Sequence, residues 1–60
     1  MITTQQKIAA LEREIKIRHQ VFPLRVHNRR MTKQKADYEI EVMQSILEDY
    51  KRIEEKERLL

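Results

Sequence analysis

Sixty residues with no cysteine, no glycine, one proline and one serine leave few routes to a stable fold. Without cysteine there is no disulfide and no thiolate metal site, which fits a reducing compartment. Without glycine there is no phosphate-cradling loop of either nucleotide-binding type. One proline and no glycine argue against a turn-rich β fold and against Pro/Gly/Ser-type disorder. No apolar run approaches the roughly 20 residues that a membrane-spanning helix requires. The first residues, Met1 to Lys7, lack a charged segment followed by an unbroken apolar core, so no signal peptide is expected. Hydrophobic residues make up 40% of the chain and charged residues 38%, and helix formers dominate both groups. The expected class is all-α.

Two helix starts are written in the sequence. Thr3 and Gln6 match the T-x-x-Q form of a capping box and place a first helix over about 4–27. Thr32, after the turn-like stretch 28–32, has a side chain able to accept a hydrogen bond from a free first-turn amide. It starts a second helix over about 33–58. Met31 and Ala36 stand at the staple positions around it. In the first helix Ile8, Leu11, Ile15 and Phe22 form one stripe, with Arg18 where an apolar residue is expected; Ala10, Ile17, Val21 and Leu24 form a second. In the second helix Ala36, Ile40, Met43, Leu47, Tyr50 and Glu54 keep a 4-3-4-3-4 spacing, flanked by Val42, Ile46 and Ile53. The last turns, past Arg52, lose the apolar face and are expected to fray or project into solvent. A short linker between helices of similar length predicts an antiparallel hairpin. Pro23 predicts a kink in the first helix, with a break into two shorter helices as the alternative.

A hairpin this small has more apolar surface than one seam covers. A sixty-residue chain buries only about 60% of its unfolded surface. The second stripes, Ile17, Val21, Leu24, Val42, Ile46 and Ile53, would stay partly wet. Pairing two hairpins into a four-helix bundle would bury them, so these six residues are the expected homodimer interface. Arg18 needs a carboxylate, because an unpaired buried charge is costly. Asp37 and Glu41, one turn apart on the second helix, are the expected partners of a register-setting ion pair. A left-handed backbone position in the turn is expected at Asn28, which tolerates it better than most residues.

Catalytic chemistry finds little footing. Ser45 lies mid-helix with no histidine within a turn, so no activated nucleophile is expected. His19 and His27 are eight residues apart, outside the i, i+3 or i, i+4 spacing of helix-borne metal pairs. The carboxylates fit a solvated helix face. The sequence predicts no cofactor, no metal, no small-molecule substrate and no enzyme.

Charge is distributed unevenly. Residues 1–35 carry nine Lys/Arg against two acidic residues, and residues 36–60 carry four against eight. Arg25, His27, Arg29, Arg30, Lys33 and Lys35 surround the expected turn. Such a patch can contact a partner protein, or nucleic-acid phosphates by releasing counterions. The turn holds no aromatic residue to stack bases, and two long helices fit no base-reading module. A membrane-surface role is disfavoured, because the apolar residues are needed inside the bundle.

The pattern Leu11-Glu12-Arg13-Glu14-Ile15, Arg18, Val21-Phe22-Pro23, Arg30-Met31-Thr32, Ala36-Asp37, Glu39-Ile40, Met43, Ile46-Leu47 and Asp49-Tyr50 resembles a family of short, uncharacterised helical-hairpin proteins encoded in bacteriophages and prophages. The resemblance covers about residues 8–50, and its most specific pieces are the aromatic-Pro pair and the Arg-Met-Thr before the second helix. Where the family pattern has glycine before Arg-Met-Thr, this chain has Arg29. The resemblance implies a phage context and a non-enzymatic accessory role. The expectation is a homodimeric interaction protein in the bacterial host cytoplasm that binds a host or phage protein. Leu24, Arg25, Arg29 and Arg30 are the expected hot spots, and an accessory nucleic-acid-binding role of the basic tip is the alternative.

Overall fold

The computed structural model describes residues 1–59 as two helices, α1 (Thr4–His27) and α2 (Lys33–Arg58), packed against each other. Neither helix is long and apolar enough to cross a membrane. Both helices begin at the threonines whose side chains can cap them. Thr3 Oγ1 accepts from the Gln6 amide at 3.1 Å while Gln6 Oε1 accepts from the Thr3 amide at 2.8 Å, a complete capping box. Thr32 Oγ1 accepts from the Lys35 amide at 3.1 Å. Each cap satisfies first-turn donors that the helix itself leaves free.

The end of α1 corrects one expectation. Asn28 keeps an ordinary backbone (φ −83°), and the left-handed residue is Arg29 (φ 59°). The Arg30 amide donates to the Arg25 carbonyl at 2.9 Å and the Arg29 amide to the Val26 carbonyl at 3.1 Å. These two bonds are a Schellman motif with Arg29 at its left-handed position. The reason is positional: Asn28 already caps the helix, its amide bonded to the Leu24 carbonyl at 2.9 Å, so the reversal falls one residue later.

The seam follows the first stripes. Ile8, Ile15 and Phe22, seven residues apart, are buried on α1, and Ala36 is buried on α2 at 4% exposure. Leu11, Ile40, Met43, Leu47 and Tyr50 are half-buried beside them. Among the described residues no large side chain is fully enclosed, so this core is one layer deep. α1 passes through Pro23 without interruption, which removes the alternative of two shorter helices. At the far end α2 stays helical through Arg58 and does not simply project: Thr4 Oγ1 donates to Glu57 Oε1 at 2.6 Å, tying its last turns to the start of α1. The hairpin is a rod with extents of 48 × 19 × 14 Å.

Candidate functional site

Arg18 does not pair with Asp37 or Glu41. Its Nη1 lies 2.9 Å from Glu14 Oε2 and donates to the Glu14 carbonyl at 3.1 Å, within α1. Asp37 is taken by Lys33 at 2.9 Å. The reason is rotational. At 3.6 residues per turn, Arg18 leans to one side of the seam, whereas Asp37 and Glu41 stand toward the other side of α2. Glu14, one turn earlier on the same helix, is reached without crossing the seam.

Two contacts mark the broad sides of the hairpin. Lys7 Nζ sits 5.5 Å from the Tyr50 ring centroid on one, and Lys51 Nζ is 4.0 Å from Glu12 Oε2 on the other. Helical rotation places Val21 of α1 on the Lys7–Tyr50 side, together with Val42, Ile46 and Ile53 of α2, with Ile17 at the outer edge of that side. Four of these five are open to solvent, Ile17 at 42% and Ile46 at 37%, and Val21 is half-buried. Two separate sequence stripes thus merge into one apolar face. Leu24, one heptad after Ile17 and 63% exposed, stands beside it on the outer flank of α1.

At the tip, the basic residues are gathered but not equally available. Arg29, Arg30, Lys33 and Lys35 line a concavity of about 510 Å³ together with Val26, Met31 and Thr32. Lys33 donates to Asp37, which raises its pKa above the ordinary 10.5 through that hydrogen bond and the carboxylate charge; Lys35 lies 3.7 Å from Glu39. Arg25 stacks over its own helix's Phe22, 5.8 Å from the ring centroid. Arg29 and Arg30 have no carboxylate within ion-pair distance among the described residues. His27, in the last turn of α1, is exposed.

A third surface was not read from the sequence. On the Glu12–Lys51 side, a groove of about 400 Å³ runs between the helices beside His19, Phe22, Pro23, Lys33, Asp37 and Ile40. It forms because Ala36 faces α1 where a larger residue would fill the gap. Pro23 also has no amide to donate to the His19 carbonyl. The signal was there in principle: a small residue at a seam position opposite a Phe-Pro pair. Among the described residues no group of three His, Cys, Asp or Glu is placed to hold a metal ion. Family models, curated proteins and solved structures yield no match to this chain.

Proposed function

We propose that this chain is a small, non-catalytic, phage-type accessory protein that works as a homodimer in the bacterial host cytoplasm and binds a host or phage protein. The observation that carries the reading is the single apolar face of Ile17, Val21, Val42, Ile46 and Ile53, left uncovered beside a core one layer deep. A second hairpin on that face makes a four-helix bundle and removes those side chains from water. A bend of α1 at Pro23, where one backbone hydrogen bond is missing, belongs to the same reading and would shape the surface offered to the partner.

Sedimentation equilibrium tests the pairing. The 7.4 kDa chain is expected to sediment as a dimer at micromolar concentration. Ile46→Glu is expected to give a monomer or an unfolded chain, and Gln44→Glu, on the opposite side of α2, to leave the dimer intact. A folded wild-type monomer at that concentration would remove the reading.

One observation favours a second reading, accessory nucleic-acid binding: Arg29 and Arg30 line the concave tip without carboxylate partners. Binding to duplex and single-stranded DNA at two salt concentrations separates the two. Phosphate contact predicts affinity that falls steeply with salt and is lost in Arg29→Glu/Arg30→Glu. No binding at low salt ends this reading, and capture of the same host protein by wild type and double variant removes the tip from the protein-binding one.

A further inference from the structure

The apolar face leaves open how a second copy lies on it, and the charge along the rod decides between the two arrangements. Both close a two-fold dimer face to face: tips at the same end, or tips at opposite ends. The tip half, residues 16–45, carries seven Lys/Arg against three Asp/Glu, whereas residues 1–15 with 46–60 carry six against seven. The rod is thus positive at its tip and close to balanced, slightly negative, at its base.

Resting on the homodimer reading above, we infer that the occupant of this face is a second copy of the chain laid antiparallel, its tip over the first copy's base. Tips at the same end would stack two concentrations of like charge, one hairpin's thickness apart. Opposite ends lay each positive tip over the near-balanced base of the other copy, where Asp49 and Glu54 already pair with Arg52 and Arg58. Relief from tip–tip repulsion thus fixes orientation more than it adds affinity. Three further observations suit this occupant. The face, 48 Å long and 19 Å wide, is comparable with the roughly 800 Å² per partner of a standard interface. Its apolar residues are centred on the rod: Ile17, Val42 and Ile46 lie near the middle, with Val21 toward the tip and Ile53 toward the base. A half-turn about the centre therefore superposes apolar on apolar. Two ion pairs beside this face, Glu14–Arg18 and Lys35–Glu39, are each closed within one helix, so covering them breaks neither. In this arrangement α1 lies over α1 of the other copy and α2 over α2, with Ile46 beside the two-fold axis.

Spin labels give the test, because the chain has no cysteine to interfere. Gln34→Cys labels the tip and Gln5→Cys the base, both at exposed positions. Pulsed dipolar spectroscopy on the full chain is expected to give a tip-to-tip distance near the rod length of 48 Å. A mixture of tip-labelled and base-labelled chains is expected to add a short distance, within about 20 Å for two stacked layers of helix. A short tip-to-tip distance in a sample that sediments as a dimer overturns the antiparallel arrangement and leaves the homodimer standing. No intermolecular dipolar signal, with the sedimentation of a single chain, overturns both.

Discussion

Arg29 is the residue at which local geometry and side-chain identity disagree most. A non-glycine residue in the left-handed region costs roughly 1–2 kcal/mol, because its Cβ crowds the following carbonyl. The Schellman bonds from Arg29 and Arg30 hold it there. Arg29→Gly should therefore stabilise the fold by about 1 kcal/mol, part of the relief being offset by the greater freedom of glycine in the unfolded chain. Asn28→Gly, at a position with ordinary φ, should give no such gain; urea unfolding of the two variants side by side checks this. The sequence located the turn correctly but put its left-handed residue one position early, at Asn28. Residue preference alone favoured asparagine, whereas the helix end decided the position by where its last carbonyls needed donors. Arg18 failed for a related reason. Spacing showed an arginine among apolar positions, but only the rotation of both helices shows that Asp37 and Glu41 stand on the wrong side of the seam.

At the scale of the helices, most of what the structure contains was legible. Threonine caps, stripe spacing and the absence of glycine gave both starts and the buried set Ile8, Ile15, Phe22 and Ala36. What spacing could not give was which flanking stripe on α1 shares a side with which on α2, since that depends on the direction in which the chain returns. Pro23 is the element's weak point. Its ring and missing amide cost a helix interior up to about 3 kcal/mol. Pro23→Ala is expected to raise the unfolding midpoint, with a gain on the order of 1–3 kcal/mol. An unchanged or lowered midpoint would mean that the local geometry at Pro23 is needed by the seam.

For the whole molecule, the core is one layer deep, and the proposed pairing ties its stability to association. On the proposed pairing, the melting temperature should rise with protein concentration, because a species that binds only the folded chain stabilises it by mass action. Thermal unfolding followed by circular dichroism across a hundredfold range of concentration measures this; a constant midpoint counts against the dimer. Function was the least legible level. The basic tip and the apolar face were both visible in outline, but the structure changes their weight. Two lysines of the tip are held by Asp37 and Glu39, and four apolar residues from two helices gather on one side, with Ile17 at its edge.

Of the six ion pairs in the described residues, only Glu12–Lys51 links α1 to α2. Ile8, Ile15 and Phe22 recur at equal steps, so a slip of one heptad, about 10 Å, would offer α2 nearly the same row of knobs. Beyond Glu12–Lys51, among the described residues only the Thr4–Glu57 hydrogen bond and the Lys7–Tyr50 contact resist sliding by polar pairing. The five-residue connection acts as the ruler, and lengthening it should turn a single alignment into several.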